Sequence, residues 1–465
     1  MPTDHSRALL VRRKTVLSLM LLAALTAASV HAEETAPTPV PHTAPIRQMA
    51  PTMGWNPWNA FRTEVTEDKI IAIAETLNRS GLKAAGYRYI NIDDGWWLKR
   101  RADGRIIIRT TMFPSAALPD GETSFRPFTD RLHAMNFKVG IYTDIGRNVC
   151  SQAWDAKSPN LPTGSQAERE VGSMGHQTED MRLFFGEWNF DLVKVDACGL
   201  ADFGPDRPYV KNDTYRALKP AIIRGRPDLS DINGVESLYR DLKAAITQVR
   251  PNDDVILSIC TWGEADVARW GHKYGQQWRT SADIRANWAS MLHNFDTAVS
   301  GITATPSGRG NDPDMLEIGN GDFDVRHLTE ARAHMSMWAI IGAPLILGSD
   351  LTKWSQDLID IAGNRNVIAV NQDIAGRPRV ISSDARIQII TRPLSTPGTQ
   401  AVALINRGAN PQTASVNRAQ LGLTATSEVT LRDLWLDTTQ KLVGDVLTVT
   451  LAPRETFLVL ITTQP

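Results

Sequence analysis

From about residue 53 to residue 372, short apolar runs alternate with longer stretches whose apolar positions recur every three or four residues, and Gly or Pro closes each unit. A period near two marks a strand and one near 3.6 marks a helix, so this order predicts a strand-helix rhythm. Strands are predicted at 51–55, 87–92, 138–143, 192–196, 255–260, 277–280, 301–305 and 344–347. Helices are predicted at 67–82, 125–135, 179–188, 235–249, 284–295 and 325–341. Such a series fits an α/β fold, a closed (β/α)8 TIM barrel. The rival, an open doubly wound sheet, lacks its Gly-x-Gly-x-x-Gly turn after the first strand. Beyond Asn371 the period shortens to two, as in 387–390, 401–405 and 447–451, which predicts a C-terminal antiparallel β-sandwich. The expected domains are therefore 51–372 and 373–465. Residues 199–234, rich in Pro, Asp and Arg, read as an insertion or lid on one barrel loop.

A chain of 465 residues accommodates both units, and 42% hydrophobic with 22% charged residues excludes bulk disorder. Its beginning differs: Arg7, Arg12, Arg13 and Lys14 precede an apolar run over 16–30 that ends in Val30-His31-Ala32. This is the pattern of a signal peptide over 1–32, and the run falls short of the ~20 residues a bilayer span needs. The Pro-rich stretch 33–50 is then a linker. An exported protein is expected, periplasmic or secreted, with no membrane association after cleavage. The net charge of -1 gives no reason to expect nucleic acid as a partner. Export permits a disulfide, and three cysteines allow one with a thiol left over; spacing alone leaves the pairing open. Nine histidines without ligand spacing, and no Cys-x-x-Cys, give no case for a metal or other cofactor. Self-association is left open.

Candidate chemistry gathers where predicted strands end, which is where a barrel builds its active site. On the fourth strand, alternation turns Leu192, Lys194 and Asp196 inward, where charges must form either a structural ion pair or a site. The second strand ends in Asp93-Asp94-Gly95-Trp96, an acid doublet that sugar hydroxyls would satisfy, with an aromatic to cover a pyranose face. Asp283 follows the sixth strand, with Arg279 before it, and Asn311-Asp312-Pro313-Asp314 follows the next crossover. Such a gathering of carboxylates at one mouth suits oxocarbenium chemistry, which needs one carboxyl protonated and another ionised. Lys194 is expected to hold Asp196 ionised, and like-charged neighbours to raise the pKa of Asp283.

The motifs Met53-Gly54-Trp55-Asn56, Ile92-Asp93-Asp94-Gly95-Trp96, Gly140-Ile141-Tyr142-Thr143-Asp144, Lys194-Val195-Asp196-Ala197-Cys198, Trp278-Arg279-Thr280-Ser281-Ala282-Asp283 and Asn311-Asp312-Pro313-Asp314-Met315 resemble glycoside hydrolase family 27. The resemblance runs from about Thr52 to the C-terminus. It implies a retaining α-galactosidase acting on terminal α-linked galactose, with Asp196 as nucleophile and Asp283 as acid/base. It also implies sugar contacts from Trp58, Asp93, Asp94, Tyr142, Lys194, Cys260, Thr261, Arg279, Asp314 and Met315, and a Cys150–Cys198 bridge. The chain departs from the family pattern at Thr261, where a Glu is usual, and at Gly310, where a Trp is usual; Glu264 stands ready to refill the space near Thr261. Thr261 makes α-N-acetylgalactosaminidase the first alternative, ahead of β-L-arabinopyranosidase and isomaltodextranase. A catalytically inactive sugar-binding barrel would need an incomplete acid pair, and a metal-dependent barrel hydrolase would lose activity to a chelator.

Overall fold

The computed structural model describes residues 49–464 apart from 156, 205, 214, 306, 307 and 309, so the signal peptide and nearly all of the linker lie outside the described residues. Eight parallel strands form one sheet: β1 (Met53–Trp55), β2 (Tyr89–Asn91), β3 (Lys138–Asp144), β4 (Leu192–Asp196), β5 (Ile256–Cys260), β6 (Gln277–Arg279), β7 (Asn311–Asp312) and β8 (Leu345–Leu347). They are hydrogen-bonded in sequence order, with β8 beside β1. A parallel bridge between Leu316 and Leu347 joins the segment after β7 to β8 and closes the barrel. Helices follow in turn: α1 (Glu67–Arg79), α2 (Arg126–Ala134), α3 (Gln177–Met181), α4 (Ile232–Val249), α5 (Val267–Trp270), α6 (Trp288–Gly301), α7 (Leu328–Ile341) and α8 (Arg365–Gln372).

Local chemistry explains these elements. Thr66 caps α1 by accepting a hydrogen bond from the Lys69 amide, and Glu67 and Asp68 occupy its first turn, where the positive end of the helix dipole favours acids. Ile70, Ile73, Ala74 and Leu77 form its buried face. On β4, Val193 and Val195 are fully buried, while Lys194 and Asp196 share the opposite, barrel-interior phase.

Three sequence expectations need correction. The apolar run 301–305 is the end of α6 and a turn; the seventh strand is instead the two polar residues Asn311–Asp312, which pair with β6. The helix expected at 284–295 begins only at Trp288, where Asn287 accepts the Ser290 amide and caps it. Trp96 does not face a sugar. It is buried edge-on against Phe125, Phe184 and Trp188, and its indole N–H donates to the Tyr142 carbonyl.

The C-terminal part is a sandwich. A six-stranded antiparallel sheet includes Ile387–Pro393, Thr399–Asn406 and Thr456–Gln464, and a two-stranded one pairs Gln412–Asn417 with Val446–Leu451. Val402, Leu404, Val416, Leu447 and Val459 fill the space between them. The sandwich is docked to the barrel through the fully buried Arg392, which donates to the Ala339 carbonyl at the end of α7, and through an Arg407–Asp296 ion pair at 2.7 Å. No helix among the described residues is long and apolar enough to cross a membrane.

Close backbone packing at the start of the barrel gives a test. A Cβ on Gly54 would lie 2.2 Å from the Tyr89 carbonyl oxygen, which β2 holds rigidly, whereas one on Gly204 would meet nothing within 4 Å. Gly54→Ala is expected to cost about 1–3 kcal/mol and lower Tm, with Gly204→Ala close to neutral; thermal melts of both variants check this.

Candidate active site

At the C-terminal mouth of the barrel opens a cavity of about 680 Å³, and Asp93, Asp94, Tyr142, Lys194, Asp196, Asp283 and Trp58 all border it. They arrive from several elements. Asp93 and Asp94 follow β2, Tyr142 lies on β3, Lys194 and Asp196 on β4, and Asp283 follows β6. This convergence is what the alternation of β4 and the strand-end positions predict.

Asp93 and Asp94 are each 1% exposed, and their charges are separated by different partners. Asp93 accepts from Asn56 Nδ2 at 2.7 Å and from Lys194 Nζ at 2.9 Å, and its other oxygen accepts the Asp94 amide. Asp94 accepts the Ser151 amide at 2.7 Å through one oxygen, while Oδ1 is buried with no protein donor. Burial, then the charges of Asp93 and Asp196, push its pKa up to about 7 against the Ser151 bonds. The doublet thus offers an acceptor at the cavity with nothing yet bonded to it.

The two candidate catalytic acids differ in surroundings, in the opposite sense to the sequence expectation. Asp196 is 5% exposed, and burial together with Asp283 and Asp93 raises its pKa to about 6, although Lys194 and Arg279 pull it down. Lys194 gives its hydrogen bond to Asp93, so its help to Asp196 is through space alone. Asp283 has a side chain 52% exposed and accepts from Arg279 Nη1 at 3.2 Å. Desolvation pushes its pKa up, but the charges of Arg279 and Lys194, the Arg279 hydrogen bond and Arg62 outweigh that and hold it below the ordinary value.

Not every residue implied by the resemblance borders this cavity. Arg279, Asp314 and Met315 line a smaller chamber of about 40 Å³ deeper in the barrel, which Lys194 also borders. Arg279 spans the two levels, pairing with Asp314 at 2.9 Å below and Asp283 above. Cys260 and Thr261 line neither space. The Cys260 thiol packs 3.8 Å from Arg279 Nη1, and the fully buried Thr261 turns its hydroxyl to the Glu264 carbonyl at 3.0 Å. Glu264 itself reaches the cavity wall, and one of its oxygens accepts the Gly225 amide at 2.8 Å.

Sequence reading missed Asp144. It is fully buried, and accepts the amides of Gly146 at 2.7 Å and Gly199 at 3.1 Å. Burial and the Asp196 charge push its pKa well above the usual carboxylate range. It thereby joins the loops after β3 and β4, which the Cys150–Cys198 disulfide also ties, leaving Cys260 unpaired. The signal was there: Asp144 shares the strand phase of Gly140 and Tyr142. With both sulfurs in that bond, the Asp144-Cys150-Cys198 group has no thiolate to offer a metal. Also missed were Arg62, Trp154, Arg224, Trp262 and Arg285, which border the outer part of the cavity.

A (β/α)8 barrel whose mouth gathers paired carboxyls in one cavity defines a glycoside hydrolase. The family model described as Alpha galactosidase A matches residues 50–233 and 239–373, and the alpha galactosidase C-terminal beta sandwich domain matches 384–461. The chain belongs to this family, glycoside hydrolase family 27. It is 32% identical over 408 residues to Alpha-galactosidase 2 of Arabidopsis thaliana, covering 87% of this chain and 88% of that protein. It is 33% identical to an alpha-galactosidase of Oryza sativa subsp. japonica, covering 83% and 78%. Alpha-galactosidase I from Mortierella vinacea shares the fold, with a TM-score of 0.72 at 24% identity over 90% of this chain and 99% of that one.

The raised pKa of Asp196 has a stability consequence. A carboxyl that titrates near 6 when folded and near 4 when unfolded adds stability below pH 4 and loses it as pH rises through about 6. Asp196→Asn is therefore expected to stabilise the fold at pH 7–8, on the order of 2 kcal/mol, and to leave it unchanged near pH 4. Melts at both pH values check it; equal gains at both would be inconsistent with burial of that charge.

Proposed function

We propose that the protein is a retaining α-galactosidase that releases terminal α-linked galactose by double displacement, with Asp196 as nucleophile and Asp283 as general acid/base. The observation that carries this reading is the presence of both carboxyls on one cavity, coupled so that the charge of Asp283 raises the pKa of Asp196. In the free protein the higher proton affinity belongs to Asp196, whereas the reaction needs Asp196 ionised and the proton on Asp283 once the sugar is bound.

In the first step a carboxylate oxygen of Asp196 attacks the anomeric carbon as the glycosidic bond breaks, and Asp283 gives its proton to the departing oxygen. A covalent glycosyl ester results. In the second step Asp283 takes a proton from water, whose oxygen attacks the same carbon and frees Asp196, so that the product keeps the α configuration. The half-exposed Asp283 is hydrated in the free protein; a sugar in the cavity displaces that water and raises its pKa toward that of an acid catalyst. The Asp94 acceptor and the Asp93–Lys194 pair at the buried floor serve the galactose hydroxyls, and Trp58 packs on the ring.

Thr261, shorter than the usual Glu, would leave room for a larger 2-substituent such as an N-acetyl group, but its hydroxyl is engaged by the Glu264 carbonyl and the Glu264 carboxylate stands on the wall. A free hydroxyl is the better partner for that carboxylate, and galactose is favoured. Hydrolysis of 4-nitrophenyl α-N-acetylgalactosaminide in preference to the α-galactoside would reverse the assignment.

Asp196→Ala is expected to abolish turnover. Asp283→Ala should slow galactose release from a disaccharide by about 100–10,000-fold while sparing 4-nitrophenyl α-galactoside, whose leaving group needs little protonation. Equal losses on both substrates would remove Asp283 from the acid role, and a first-formed β-galactose, read by NMR, would rule out retention.

We further propose that the enzyme is exported to the periplasm or the medium and acts without a metal or other cofactor. The basic and apolar N-terminal segment, together with the disulfide at the site, supports export. N-terminal sequencing of the exported fraction should start at Glu33; retention of residues 1–32 would contradict cleavage there.

A further inference from the structure

The floor and the rim of the cavity differ in kind. Its floor is buried, with Asp93, Asp94 and Tyr142 each 1% exposed. Its rim is open and carries Arg62, Trp154, Arg224 and Arg285. An exo-acting hydrolase holds the terminal sugar at the floor, so the rim receives the leaving group.

The rim has an excess of uncommitted positive charge. Arg62 and Arg285 make no ion pair among the described residues. Arg224, carried by the 199–234 insertion, pairs with Asp202 at 2.6 Å and lies 5.2 Å from the centroid of the Trp154 ring. The carboxylates on which the Arg62 charge acts are hydrogen-bonded elsewhere, Asp283 to Arg279 and Glu317 to Asn59 and Asn320, and Glu264 on the same wall accepts the Gly225 amide. Arg62 adds a second kind of evidence. Its backbone has φ 49° and ψ −142°, a conformation that costs a non-glycine residue about 1–3 kcal/mol and persists only where its surroundings enforce it. That backbone sets the guanidinium 5.1 Å over the ring of Trp58. Trp154 is 60% exposed, an unusual state for so large an apolar surface, and it offers a face to the C–H side of a sugar ring.

We propose that this rim is a leaving-group subsite for a carboxylate-bearing saccharide, with Trp154 as the stacking platform and Arg62 and Arg285 as the charge partners. The guanidinium fork matches a carboxylate in shape as well as charge. The proposal rests on the α-galactosidase reading and adds the class of substrate: galactose linked to an acidic sugar, rather than to a neutral one. The insertion contributes by bringing Arg224 to Trp154 and fixing that ring.

Two substrates isolate the charge: 6-O-α-galactosyl gluconate and 6-O-α-galactosyl glucitol, equal in length and differing only in a terminal carboxylate against a hydroxymethyl group. At about 10 mM salt, kcat/KM for the gluconate is expected to exceed that for the glucitol at least about threefold, the yield of two exposed charge pairs. The advantage should shrink at about 500 mM salt, where screening is short-ranged. It should approach unity in the Arg62→Gln, Arg285→Gln double variant, whatever happens to the glucitol rate. A ratio at or below one in the unaltered protein at low salt overturns the subsite, as does a preference that survives undiminished either at high salt or in the double variant. The salt series uses only the unaltered enzyme, so it decides even if the double variant fails to fold. Loss of turnover on both disaccharides and on 4-nitrophenyl α-galactoside would instead overturn the galactosidase reading, and this subsite with it.

Discussion

Two inward-facing cations, the part-buried Lys194 and the buried Arg279, make this site tolerable to the fold. Around them lie Asp93, Asp196, Asp283 and Asp314, which mutual repulsion and burial would otherwise force to take up protons or push into water. Lys194 neutralises Asp93 directly, and Arg279 bridges Asp314 beneath to Asp283 at the surface. Because neither cation is hydrogen-bonded to Asp196, that carboxyl keeps an elevated proton affinity and free oxygen lone pairs. The role proposed for Asp196 requires such freedom, and a structural ion pair would have removed it.

The strands supply positions, but loops supply accuracy. Asp144 and the disulfide fasten the loops after β3 and β4 to one another at the base of the cavity, next to both Tyr142 and Asp196. Packing there is backbone on backbone: a Cβ on Gly146 would fall 2.4 Å from the Gly199 carbonyl carbon, and one on Gly172 would fall 2.2 Å from the Gly146 oxygen. No side chain fits in those gaps, and the arrangement leaves the two strand ends little room to drift apart.

Period and alternation made most of the barrel legible, and the inward phase of β4 led directly to Lys194 and Asp196. The seventh strand was not legible because Asn311–Asp312 is short and polar, while the apolar run before it belongs to a helix. Trp96 misled for a related reason: an aromatic beside two acids is compatible with a sugar face or a buried cluster, and only the packing of Phe125 and Trp188 distinguishes them. The proton affinities of Asp196 and Asp283 were inverted because they depend on which acid Arg279 touches and how much water reaches each, and neither follows from spacing. The motif resemblance named an acid pair that does border the cavity, together with Cys260 and Thr261, which border neither space, and it passed over the arginines of the rim.

The clamp at Cys198 also separates two kinds of change. The 199–234 segment leaves the barrel immediately after that fixed point, and packs Phe203, Tyr209 and Tyr215 against Cys150, Ala153 and Cys198. Between Gly199, whose amide Asp144 holds, and the start of α4 at Ile232, this segment can therefore be shortened or exchanged without transmitting the alteration back along β4. Protein engineers seeking new acceptors on an unaltered reaction centre would cut there.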